Sequence, residues 1–203
     1  MTVFSTNSFL KGYILIWVLL FSYMPISKEL QAQQIKLRSF SKIGGNFILH
    51  DMHGNKVQLI DFKQKIVILF FGYTLCPDIC PNTLFVMADV LKQLGEMSSN
   101  VKLIFITLDP KRDTGKRLNE YLSIFDNRII GLRGDEKSTV AITKKYVTRF
   151  RKKKLGSTEE YLIDHTAYTF LIDQNSTIRY IFPYKTTPGF MVKTVIKLLA
   201  ETS

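Results

Sequence analysis

Apolar positions in this chain follow two rhythms, short unbroken runs and helical repeats, and their alternation sketches the elements. Residues 66–71 (IVILFF) form a β-branched and aromatic run without polar alternation, which predicts a strand buried on both faces. Beyond Pro81, residues Leu84, Phe85, Met87, Ala88, Leu91 and Leu94 recur at helical spacing and predict a helix to about Glu96. Residues 101–108 (VKLIFITL) predict a second buried strand. Residues 109–114 (DPKRDT) form a turn into a helix that reaches about Phe125, with Asp113 or Thr114 as its cap. Residues 129–132 are a short extended piece, and Asp135 or Ser138 opens a helix ending near Phe150, followed by a charged loop. Residues 168–172 and 178–182 predict two strands joined by the turn Asp173-Gln174-Asn175-Ser176. Residues 188–199 close the chain as a helix, with Met191, Val192, Val195, Ile196 and Leu199 on one side. Ahead of all these, residues 47–49 and 57–59 flank the turn His53-Gly54-Asn55-Lys56 and predict a hairpin.

Strands that alternate with helices imply a parallel sheet covered on both faces, and the last strand pair adds antiparallel edges. This is the outline of an α/β, thioredoxin-like fold, with an N-terminal β-hairpin extension and an inserted helical/hairpin region. No internal repeat or low-complexity tract interrupts it.

Composition changes this picture at the N-terminus. Residues 12–26 (GYILIWVLLFSYMPI) are nearly all apolar, with Lys11 before them and Lys28 after. Their length lies between a secretory core of about 7–15 residues and a spanning helix of about 20. Residues 1–32 are therefore expected to be a signal peptide, cut after Leu30-Gln31-Ala32, or an uncleaved membrane anchor. Residues 33–46 are expected to be a linker and 47–203 the folded domain. Either fate exports the domain to a compartment where disulfides form, such as a periplasm or its mitochondrial equivalent. The net charge of +11 suits an acidic partner or an anionic membrane surface. No nucleic-acid motif is present. The basic stretch 144–154 reads as a solvated helix end and loop, or as a docking patch for such a partner.

The candidate chemistry lies at the junction of the first buried strand and its helix. Both cysteines of the chain stand there, in Cys76-Pro77-Asp78-Ile79-Cys80-Pro81. Two cysteines are too few for a disulfide scaffold. Proline suits the first helical position, which predicts Pro81 there and Cys80 as the cap. A helix N-terminus favours thiolate over thiol, and the thiolate is the reactive and metal-binding form. Such a pair can close a disulfide or grip a soft metal. His165, just ahead of a core strand, can add a nitrogen to the two sulfurs. Two thiolates with imidazole suit copper, and a closed structural zinc site would need a fourth ligand. Asp164 and Asp78 are candidate neighbours that orient or charge the ligands. His50 and His53 offer a weaker alternative and read as a surface turn.

These residues together resemble the Sco/SenC family of copper chaperones, which help assemble the dinuclear copper centre of cytochrome c oxidase. The similarity covers about Phe47 to Leu199 and includes Phe70-Phe71-Gly72-Tyr73-Thr74, the C-P-x-x-C-P stretch, residues 107–114, Gly131-Leu132-Arg133-Gly134 and Asp164-His165-Thr166. Leu75 stands where a His is often found, and Gly115 where Pro often follows. The resemblance implies copper bound by Cys76, Cys80 and His165. It also implies an apo-oxidase copper-bearing subunit as partner, an upstream copper donor or thiol reductant, and a membrane-anchored N-terminus. The alternative is a thiol-disulfide oxidoreductase in which Cys76 attacks and Cys80 resolves.

Overall fold

The computed structural model describes residues 35–157 and 160–201. The apolar stretch 12–26 and the cleavage site expected at 30–32 lie outside them. Among the described residues no helix is long and apolar enough to cross a membrane.

The two unbroken apolar runs become the centre of a five-stranded sheet. Strand β3 (Ile66–Gly72) is buried along its whole length, and β4 (Val101–Thr107) nearly so. They pair in parallel, and β5 (Ile129–Leu132) continues the parallel set beside β4. On the other side β3 pairs antiparallel with β8 (Thr169–Ile172), which pairs antiparallel with β9 (Ile178–Phe182). The order β5-β4-β3-β8-β9 is the expected thioredoxin-like arrangement. The hairpin β1 (Ile48–His50) with β2 (Lys56–Gln58) precedes it as expected.

Helices α1 (Ile79–Leu94) and α4 (Pro188–Glu201) pack against each other, and α2 (Gly115–Ser123) against β5. Side chains alternate across a strand, so neighbours on β3 serve opposite faces. Phe71 meets Tyr146, the residue that ends α3 (Glu136–Lys145), while Gly72 faces Cys80 of α1. A Cβ on Gly72 would lie 2.8 Å from the Cys80 sulfur and 2.8 Å from the Phe105 ring. Glycine here lets the first turn of α1 lie directly on the end of β3.

Three expectations are corrected. Helix α1 starts two residues before Pro81, with Asp78 as its cap residue, so Cys80 lies inside the first turn. Proline lacks an N–H, but first-turn N–H groups have no intrahelical partner, so Pro81 continues the turn it was expected to begin. The charged segment after α3 is strand β6 (Phe150–Lys154), which pairs antiparallel with β7 (Tyr161–His165) in a separate two-stranded sheet. Residues 37–46, expected as linker, lie along β9: Arg38 and Phe40 donate their N–H groups to the carbonyls of Arg179 and Ile178, at 3.0 Å each. Leu37, Phe40 and Ile43 pack on the core. This segment covers what would be an open sheet edge.

Gly115 also has a packing reason. A Cβ there would strike the carbonyl oxygen of Met52, in the turn of the first hairpin.

Candidate metal centre

The thiol loop leaves β3 through a set of buried hydrogen bonds. Thr74 donates its N–H and its hydroxyl to the Asp113 carboxylate, at 3.1 and 2.6 Å. Thr107, at the end of β4, donates to the same carboxylate at 2.5 Å. Asp113 is fully buried, and burial raises its carboxyl above the usual range while these donors pull it back. From this anchor the chain turns, with Cys76 N–H bonded to the Tyr73 carbonyl at 3.2 Å, and enters α1.

Cys76 is half-buried, and Cys80 is completely buried, four residues on in the first helical turn. The Cys80 N–H donates to the Cys76 sulfur at 3.4 Å. The two thiols are driven apart in acidity. Cys76 is lowered to about 4, chiefly by the hydrogen bond from the Cys80 thiol, with His165 and the N–H groups of Cys80 and Asp78 adding to it. Burial pushes Cys80 far above the ordinary thiol range, and the neighbouring Cys76 sulfur and the Asp113 charge push the same way. The arrangement pairs a half-buried thiol that ionises readily with a buried one beneath it that resists ionisation.

His165 ends β7 and brings its ring to the same point. Its Nε2 is 3.5 Å from the Cys80 sulfur, and its Nδ1 is 3.1 Å from the Thr166 carbonyl. A carbonyl only accepts, so Nδ1 donates to it, and this bond fixes the ring with Nε2 facing the sulfurs. The ring is bounded by Phe70 and by Tyr73, which it meets edge-on. The ligand atoms of Cys76, Cys80 and His165 all lie within 4.8 Å of one another. Two sulfurs and one imidazole are a soft donor set suited to copper, and three donors leave a position open.

The other expected residues fall differently. Asp164 does not reach the ring. Side chains alternate along β7, so it points away from His165, exposed and 3.7 Å from Arg151 across the hairpin. The Thr166 carbonyl holds the ring instead. Asp78 contributes through its backbone N–H, while its carboxylate accepts from Asn82 at 2.6 Å. His50 is bridged through its backbone to Arg133, and His53 sits in the exposed turn capped by Asp51. Among the described residues neither joins a metal-binding group.

Sequence reasoning missed Tyr73, Asp113 and Tyr161. The Tyr73 hydroxyl accepts the Ile163 N–H at 3.1 Å, tying the His165 strand to the thiol loop. Tyr161 lies under the Arg112 guanidinium, 3.6 Å from the ring centroid. The polar stretch 107–114, flanking a buried strand, was the available signal for Asp113.

Comparison with known proteins agrees with this geometry. The SCO1/SenC family model matches residues 35–200. An SCO2-like protein of Rickettsia felis is 36% identical over 159 residues, 77% of each chain. Bradyrhizobium japonicum ScoI, solved with copper bound, superposes with a TM-score of 0.72 at 36% identity, covering 77% of this chain and 99% of its own. Yeast Sco1 with copper bound gives 0.72 at 30% identity, covering 78% of this chain and 89% of its own.

Proposed function

The chain belongs to the SCO1/SenC family, and from that premise we propose that it is a copper metallochaperone. Cys76, Cys80 and His165 take up copper and pass it to the copper-bearing subunit of cytochrome c oxidase, for assembly of the dinuclear centre. The observation that carries this reading is the convergence of the three ligand atoms within 4.8 Å. Cys76 and His165 are both partly exposed and Cys80 is buried, so an incoming partner thiolate or imidazole meets the outer two ligands first, and Cys80 holds the ion until exchange. The domain is exported, and residues 1–32 serve as its signal or its anchor.

Copper titration of the reduced full-length chain tests this. One copper per chain is expected, with a sulfur-to-Cu(II) charge-transfer band. The His165→Ala variant should lose more affinity than the roughly 10–100-fold typical for loss of a partner that merely orients a ligand. Wild-type affinity in that variant would refute the three-ligand site.

A second reading has its own observation. The unequal thiols, Cys76 lowered and Cys80 raised, also suit a thiol-disulfide oxidoreductase. The Cys76 thiolate would attack a partner disulfide and release one partner thiolate. Cys80, losing its proton, would then attack the Cys76 sulfur, leaving the partner dithiol and a Cys76–Cys80 disulfide. Rapid disulfide turnover by a protein with no copper affinity would favour it.

A further inference from the structure

The turn between β4 and α2, residues 108–114, supplies none of the three ligands, yet it touches both halves of the site. Asp113 grips the thiol loop through Thr74. Asp109, four residues earlier and also fully buried, faces the other way. It forms an ion pair with the Arg112 Nε and accepts the Tyr161 hydroxyl at 2.8 Å. Arg112 lies over the Tyr161 ring and donates its Nη1–H to the Tyr161 carbonyl at 2.9 Å. Ring, hydroxyl and backbone of Tyr161 are thus all held by one arginine–aspartate pair.

Tyr161 begins the strand that His165 ends. Among the described residues its only ladder partner is β6, so no ladder of the central sheet fixes where its end falls, and side chains hold it instead. Tyr161 and His165 are four residues apart, about 13 Å along a strand, so a small tilt at Tyr161 becomes a shift at the ring. Ligand geometry tolerates only about 0.5 Å. We infer that Arg112, locked between Asp109 and Tyr161, is a positioning residue that sets the reach of His165 toward the two sulfurs. The inference rests on the proposed Cys76–Cys80–His165 site. The planar guanidinium is what the place requires: it stacks on a ring while its edge bonds a carboxylate and a carbonyl, which a lysine cannot do together. Its Nη2 is buried without a hydrogen-bond partner, a penalty more in keeping with fixing geometry than with adding stability.

The test compares the full-length chain with its Arg112→Gln and Tyr161→Phe variants. Tyr161→Phe keeps the ring and removes only the bond to Asp109. Four quantities are read: Cu(II) affinity against a competing chelator, imidazole nitrogen coupling in the Cu(II) paramagnetic resonance spectrum, the rate of Cys76–Cys80 disulfide closure, and ring-to-ring nuclear Overhauser contacts from His165 to Phe70 and Tyr73 in the reduced, copper-free protein. Arg112→Gln should lower Cu(II) affinity about 10–100-fold, weaken the nitrogen coupling and the ring contacts, and leave disulfide closure unchanged. Tyr161→Phe should shift the same quantities less. Unchanged affinity, coupling and ring contacts in both variants would overturn the inference. So would losses matched by an equal loss of disulfide closure in both, since that marks general unfolding. If the unsubstituted chain binds no copper through His165, the functional reading fails by itself. The copper-free ring contacts then decide alone: their loss in Arg112→Gln supports the positioning role, and their persistence overturns it.

Discussion

The two halves of the site are built in opposite ways. The sulfurs sit where a fully buried strand runs into a helix, and the turn between them hangs on a buried carboxylate with three donors. The imidazole sits at the end of a hairpin that, among the described residues, pairs only with itself and is fastened through side chains. One half is core, and the other is an arm laid against it. One ligand can therefore be adjusted without disturbing the other two, because the elements that place them share few bonds. Tyr73, Asp109 and Arg112 are the points where they do.

The largest effect should come from breaking the core half. Gly72→Ala places a methyl group against the Cys80 sulfur and the Phe105 ring. Overpacking of this kind costs about 1–3 kcal/mol, so urea unfolding of the reduced protein should shift accordingly. Displacing Cys80 should slow disulfide closure as well. An unchanged midpoint and closure rate would mean that α1 does not depend on its close seat on β3. The next effect concerns the acidity that the core half imposes. Cys76 is lowered to about 4, so its thiolate persists as pH falls from the ordinary thiol range to that value. The sign follows: a lowered folded pKa contributes stability that is complete above the unfolded value and disappears as pH falls through the folded one. Alkylation of reduced Cys76 should therefore stay flat from about pH 8 to about pH 6 and fall only toward 4, whereas an ordinary thiol loses tenfold per unit below about 8.5. An ordinary profile would show that Cys80 does not donate to Cys76. The smallest effect should come from the outer face of the arm. Asp164→Asn removes an exposed pair with Arg151, worth about 1 kcal/mol or less, and should leave Cu(II) affinity within about twofold. A large loss would return Asp164 to the ring.

How much was legible follows the same division. The core strands showed in the sequence because both their faces are buried, which makes the runs at 66–71 and 101–108 unmistakable. The cysteine pair showed through its spacing at a strand–helix junction, and His165 through its position ahead of β8. An inserted helical/hairpin region was expected, but the first strand of the arm did not show and reads as a charged loop. Residues 150–154 (FRKKK) have a poor strand composition and are largely exposed, and they form β6 only because β7 pairs with them. The docking of residues 37–46 on β9 and the Arg112 grip on Tyr161 depend on partners 49 or more positions away. Local patterns carry no trace of such pairings. The start of α1 was misplaced for a different reason: proline is tolerated throughout the first turn, so Pro81 marks that turn without fixing its first residue.

A copper site of this kind needs core and arm to meet at one ion. X-ray absorption at the copper edge of the copper-loaded, full-length chain counts the neighbours directly. Two sulfurs and an imidazole nitrogen around one copper per chain are the predicted result, with the nitrogen lost in His165→Ala. A sulfur-only shell in the unsubstituted protein, unchanged by that substitution, would contradict it.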